Sequence, residues 1–178
     1  MSEAYSELRA ILAEAADLNN AAAVLGWDQD VNMPPGGVES RAEQLATLSR
    51  LSHARFTSPR VGELLAELEQ NPSGWDYDSD EASIVRVTRR DYDDEVKLPP
   101  DLVEDMARAD AQARPVWLKA RAESDWSQFV PAMRKTVELA GRMAEALGYQ
   151  EEPYDALIAR TEPGMTTAAM QSVFDELK

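Results

Sequence analysis

A chain of 178 residues, 44% hydrophobic and 29% charged, can bury one core and has the composition of an ordinary globular domain. Its 33 acidic against 18 basic residues leave a net charge of −15, a surface that repels phosphate backbones and makes nucleic acid a poor partner. The absence of cysteine removes disulfides, thiol catalysis and thiolate metal sites, and no run approaches the about 20 apolar residues of a membrane helix.

Met1–Tyr5 has neither the basic start nor the apolar run of a signal peptide, so a cytoplasmic chain is expected. Leu8, Ile11, Leu12, Ala15, Leu18, Ala22 and Leu25 keep the three-and-four spacing of one helical face. That helix can start at the cap Ser2 and must stop before Pro34-Pro35-Gly36-Gly37. A second helix is expected over Glu39–Arg55, with Leu45, Leu48, Leu51 and Ala42 inward. Ser58-Pro59 is a cap followed by proline at the first helical position, and Val61, Leu64, Leu65 and Leu68 continue the stripe. Asn71-Pro72-Ser73-Gly74 reads as a turn.

The next helix starts near Ser79, carries Glu81 and Glu95 at its two ends and turns Ile84, Val85 and Val87 inward, until Leu98-Pro99-Pro100 breaks it. Asp101–Glu123 is helical in pattern although Pro115 falls inside it, which predicts a kink or a short break. Asp125 caps a helix running to Leu147, where Gly148 suits a left-handed C-terminal position. A short helix over Pro153–Ala159 and a last one capped by Thr166 or Thr167, periodic at Met170, Val173, Phe174 and Leu177, complete the chain. No window of real length alternates with a period of two. The expected fold is therefore all-α: a single domain of long antiparallel or crossed helices, about seven or eight in number, without a sheet.

Several chemistries find no support in the residues. The one histidine, His53, is followed by Ala54-Arg55-Phe56-Thr57, so His-Glu-x-x-His cannot be built. No Gly-x-Ser-x-Gly elbow presents a serine, and no glutamate stands three residues before His53 as a di-iron bundle needs. Asp76, Asp78 and Asp80 open like an EF-hand loop, but Glu81 replaces the glycine and Val87 the closing glutamate, so calcium is not expected. His53 near a helix end is read as structural, a ring nitrogen bonding a free carbonyl.

Trp27 and Asp28 admit two readings. The segment Trp27–Gly37 could rim a substrate cleft, with Trp27 shaping it and Asp28 hydrogen-bonding. Alternatively Trp27 packs in the core while Asp28 pairs with an arginine such as Arg41 or caps the loop; buried aromatics usually pack, so this second reading is preferred. Trp117 and Arg121 form an i, i+4 pair, read as stacking that glues the helix face. Tyr154 and Asp155, close to Glu162-Pro163-Gly164, form the other loop-rich cluster.

The ordered set Trp27-Asp28-Gln29 to Met33-Pro34, Leu98-Pro99, Trp117-x-x-Ala120-Arg121, Gly148-Tyr149, Tyr154-Asp155-x-Leu157 and Glu162-Pro163-Gly164 resembles the start of the carboxypeptidase Taq family. The resemblance runs from Leu8 to Leu177 and implies an all-helical zinc metallocarboxypeptidase that removes single residues from peptide C-termini. It places His-Glu-x-x-His beyond Lys178, so this chain, residues 1–178, would be the N-terminal wall or lid of a cleft. It would hold no catalytic residue, metal or cofactor of its own and be inactive alone, with zinc expected in the full-length parent. Its partners would be the missing C-terminal catalytic part and, in the parent, a peptide substrate, with no nucleic acid or membrane. The cleft candidates are Trp27, Asp28, Tyr154 and Asp155. Two departures are visible: Ala159 stands where the family tends to have aspartate, and Thr161 where it tends to have tyrosine. They motivate an alternative, a stand-alone helical interaction protein without catalysis. That alternative predicts a fully polar exterior; the fragment reading predicts an exposed apolar face, which could also pair two copies as a homodimer.

Overall fold

The computed structural model describes residues 2–70 and 74–177. Ser2 is extended and its Oγ accepts the Tyr5 amide at 3.3 Å, which satisfies one orphan donor and starts α1 (Glu3–Val31). Pro34 and Pro35 stop it, and a 3₁₀ turn (Pro35–Gly37) leads into α2 (Val38–Phe56). Then follow α3 (Pro59–Gln70), α4 (Asp80–Glu95), α5 (Pro100–Ala122), a 3₁₀ turn (Trp126–Gln128), α6 (Val130–Leu147), α7 (Pro153–Ile158) and α8 (Thr167–Glu176). There is no strand among the described residues, and the all-α class expected from the sequence is the class observed. The turn expected at Asn71–Ser73 lies outside the described residues; Gly74 after it has φ +70°, a conformation glycine adopts freely.

The core lies at the start of the chain. Tyr5, Leu8 and Ile11 of α1 interlock with Val61, Leu64, Leu65 and Leu68 of α3 and with Val85 of α4. Trp75 closes one end, edge-on to Tyr5 with centroids 5.0 Å apart. Burying each of these aliphatic side chains contributes about 1.5–3 kcal/mol. α2 is the hub of the other half and packs most extensively on α5 and α1. It does so through Ala42 and Ala46, both fully buried, whose small side chains let helix axes come close.

Five expectations need correction. On α2 the inward face is set by Ala42, Ala46 and His53, at i, i+4 and i+11, so Leu51 falls off that face and is exposed, while Leu45 and Leu48 are half-buried. On α4, Val85 and Thr88 are buried, and Val87, about 200° round the helix from Val85, is exposed. Asp125 caps the 3₁₀ turn, accepting the Ser127 amide at 3.0 Å, and α6 begins only at Val130. α5 runs through Pro115 without the short break. Gly148 does have positive φ (+83°), but its ψ of 148° puts it in the mirror-image extended region and not in a left-handed turn.

Candidate functional site

Trp27, Asp28 and Gln29 sit on the last turns of α1, and each makes a different use of its place. Asp28 Oδ2 accepts Arg41 Nη2 at 2.5 Å, joining α1 to α2. Arg41 also donates through Nη1 to the Leu25 carbonyl and through Nε to Gln44 Oε1 at 3.1 Å, so its guanidinium is spread over both helices. The Arg41 bond holds the Asp28 carboxyl below its ordinary range; partial desolvation opposes this and Asn32 Nδ2 adds to it. The pairing with Arg41 expected from the sequence is thus present.

Gln29 explains why α5 survives its proline. Pro115 has no N–H, so the carbonyl four residues earlier, Ala111, loses its helical partner. Gln29 Nε2 donates to that Ala111 oxygen at 2.8 Å. The side chain of one helix supplies the hydrogen bond that the other helix's own backbone lacks. Nearby, Arg114 fastens the same junction through Asp30, with Nε and Nη2 at 3.1 and 3.2 Å from its carboxylate. Arg114 and Arg121 flank the Trp117 ring at 5.3 and 5.2 Å, the structural stacking expected of Trp117, with a second guanidinium added.

Trp27 does not pack in the core. It is 61% exposed and lies in line with Val24 (63%) and Val31 (60%), at i, i+3 and i+7 on one face of α1. Gln29, on the side opposite this apolar stripe, faces α5, while Asp28 and Asp30 flank the stripe and reach Arg41 and Arg114. The segment is also helical as far as Val31, and only its second part is loop.

Tyr154 and Asp155 lie on α7, which packs on α6 and α8. Asp155 Oδ1 accepts both the amide and the hydroxyl of Thr167 at 2.7 Å, so it fastens the start of α8. The bond from the Thr167 amide, then that from its hydroxyl, holds the Asp155 carboxyl below its ordinary range. Tyr154 is exposed. The four candidates therefore form two separate pairs and not one constellation. Thr161 Oγ1 donates to the Ile158 carbonyl at 3.1 Å, closing the turn after α7.

His53 takes the structural place read from the sequence: its Nε2 lies 2.9 Å from the carbonyl of Glu95, at the end of α4. It borders a cleft of about 460 Å³ between α1, α2, α4, α5 and the end of α7, where Arg160 Nη2 donates to Glu95 Oε1 at 2.8 Å. The pairings of Gln29 with Ala111 and of Arg160 with Glu95 escaped sequence reading, because contacts across 82 or 65 residues leave no local pattern. Asp76 and Ser79 form the turn that enters α4, Ser79 Oγ donating to the Asp76 carbonyl at 2.7 Å. Among the described residues no three of His, Asp or Glu stand together as a metal site, and no helix is long and apolar enough to cross a membrane.

The family model of carboxypeptidase Taq (M32) metallopeptidases matches residues 7–178. Thermostable carboxypeptidase 1 of Thermus thermophilus is 36% identical over 184 aligned residues, which cover 98% of this chain and 36% of that protein. Carboxypeptidase 1 of Bacillus subtilis is 31% identical, covering 94% and 33%. Among solved structures, BsuCP superposes with a TM-score of 0.92 at 29% identity, and the Pyrococcus furiosus carboxypeptidase with 0.72 at 33%. Both alignments cover 99% of this chain and 35% of the other. The chain thus spans about a third of the length of the relatives it matches.

Proposed function

Since the chain belongs to the carboxypeptidase Taq (M32) metallopeptidase family, we propose that residues 1–178 form an N-terminal helical domain that walls or lids the substrate cleft of a longer zinc metallocarboxypeptidase. The longer protein would release C-terminal amino acids from peptides. The residues described do not fit a zinc site: the one histidine has Nε2 on the Glu95 carbonyl, and although the Glu95 carboxylate lies 3.7 Å away, no group of three possible ligands stands together among the described residues. No hydrolytic step is assigned to them. The chain alone is inactive on this reading, and zinc belongs to the part of the protein that lies beyond it.

The observation that carries the reading is the apolar stripe Val24, Trp27 and Val31 on a helix end that is otherwise tied down by Arg41, Gln29 and Arg114. A fixed backbone with an uncovered apolar face suits a wall against which another body or a peptide is held. α8 adds a second such face: Val173, Phe174 and Leu177 are exposed, and none of the helix's residues is buried. A stand-alone interaction protein predicts a polar exterior instead, and these faces count against it. By excluding bulk on one side, such a wall would let only a chain end approach the metal. In the isolated chain the same faces would pair copies, and the acidic, cysteine-free composition suits a cytoplasmic protein.

The test compares the protein encoded by the full reading frame with residues 1–178, using peptides with free and amidated C-termini. The longer protein should release residues only from free ends and lose activity with a chelator, and the 178-residue chain should release none. Stoichiometric zinc binding and peptide cleavage by the 178-residue chain would overturn the reading. So would a reading frame that stops at Lys178.

A further inference from the structure

We infer that the second half of α4, Arg89–Glu95, is a strap that opens and closes over the cleft beside it, with the ion pair of Glu95 and Arg160 as its latch. The two halves of α4 are held in different ways. In the first, Val85 belongs to the core shared with α1 and α3, Ile84 packs against that core, and Thr88 is buried. Leu98, after the helix, is buried again, and none of the residues between Thr88 and Leu98 is. A helical segment fixed at both ends and burying nothing fully between them is where local opening costs least.

Beside this segment lies the cleft of about 460 Å³, lined also by Ser52, His53 and Phe56 of α2 and Val103 of α5. The charged residues that α4 brings to the cleft do not tie it to the other side. Arg90 pairs with its neighbour Asp91 at 2.8 Å, and Asp94 with Lys97 at 2.8 Å. Arg89 reaches back to Glu69 on α3. Among the described residues, the polar contacts from this segment to α2 and to the turn after α7 all meet at Glu95. Its Oε1 accepts Arg160 Nη2 at 2.8 Å, and its carbonyl lies 2.9 Å from His53 Nε2. Tyr92, half-buried and edge-on to Phe56 with centroids 6.3 Å apart, adds the one aromatic contact. Both side chains of the Glu95–Arg160 pair are partly exposed, so solvent screens it and it can break and re-form readily. The inference concerns motion within this chain and stands apart from the peptidase reading.

The experiment follows amide exchange along α4 by NMR in the 178-residue chain. Arg160→Met keeps the side-chain stem and removes the donors. It should lower protection at Tyr92–Glu95 about threefold to fivefold, as loss of one partly exposed ion pair allows, and leave Val85–Thr88 unchanged. Glu95→Ala should do the same, and it carries the comparison should Arg160→Met disturb the fold. The two changes together should go no further than either alone, because they remove one and the same contact. Opening of the cleft itself is read at Ser52→Cys, a buried cleft position that becomes the single thiol of a cysteine-free chain. Its reaction with a thiol reagent should accelerate by the same factor when the latch is removed. Protection lost evenly along α4, protection unchanged in the folded variants, additive effects of the two changes, or a thiol rate that does not follow would each overturn the strap.

Discussion

The hydrogen bond from Gln29 to Ala111 makes a prediction that a double-mutant cycle can isolate. Ala111 is buried, so removing the Gln29 amide leaves its carbonyl without a partner, at a cost of about 1–3 kcal/mol. The single change Gln29→Leu does not measure this cleanly, because Gln29 Oε1 is itself buried without a partner and its loss is a gain. Pro115→Ala restores the N–H that bonds Ala111 within α5. In that background Gln29→Leu still removes Oε1 but no longer orphans the carbonyl. The difference between the two Gln29→Leu costs therefore reports the carbonyl alone, and a coupling of about 1–2 kcal/mol is expected. Urea unfolding of the four proteins measures it. In thermal melts it corresponds to roughly 2–4 °C per kcal/mol for a chain of this size. Equal Gln29→Leu costs in the two backgrounds, within about 0.5 kcal/mol, would refute the account of how α5 tolerates its proline.

Other consequences are open to direct measurement. A Cβ at Gly62 would lie 2.7 Å from Tyr92 Oη and 3.1 Å from Cζ, on a ring already fixed edge-on to Phe56; Gly62→Ala should cost about 1–3 kcal/mol, and Tyr92→Phe should recover part of it in urea unfolding. Asp155→Ala removes both bonds to Thr167, and since α8 buries no residue the loss should appear as faster amide exchange across Thr167–Glu176, with the global midpoint little changed. Hydrogen bonds hold Glu7, Asp28, Glu43, Asp125 and Asp155 below their ordinary values. A depressed carboxyl stabilises the fold above its unfolded pKa, about 4, and the contribution disappears as pH falls through the folded value. The urea midpoint should accordingly hold from about pH 7 to pH 5 and drop below about pH 4; a steep loss already above pH 5 would contradict the assignment.

What could be read in advance was local. Ser2, Ser79 and Thr166 cap helices where the sequence places caps, because a capping hydroxyl acts on amides two or three residues away. Pro34, Pro59 and Pro99 punctuate as expected for the same reason. Which side of α2 faces inward was only partly local: Ala42 was read as inward and is buried, but apolar spacing added leucines where close helix packing selected Ala46. The tolerance of Pro115 was illegible for a sharper reason. A proline inside a helix announces a missing donor, but nothing near it says that a glutamine on another helix supplies one.

Trp27 marks the limit of such reading in another way. An apolar residue is expected inside on the premise that the sequence under study carries its own core, and for Tyr5, Leu8 and Leu64 that premise holds. At the end of α1 the polar residues Asp28, Gln29 and Asp30 make the attachments to α2 and α5, and the large apolar residues Val24, Trp27 and Val31 face away. That inversion is costly for a helix end whose outer side is left bare, and it is natural for one with a further body there. Trp27→Lys separates the two cases. In residues 1–178 it should leave the urea midpoint within about 0.5 kcal/mol, as exposed substitutions do. In the protein of the full reading frame, burial of the stripe would make the same change cost several times more. Equal small effects in both would remove the stripe from any interface and leave the wall reading without its main support.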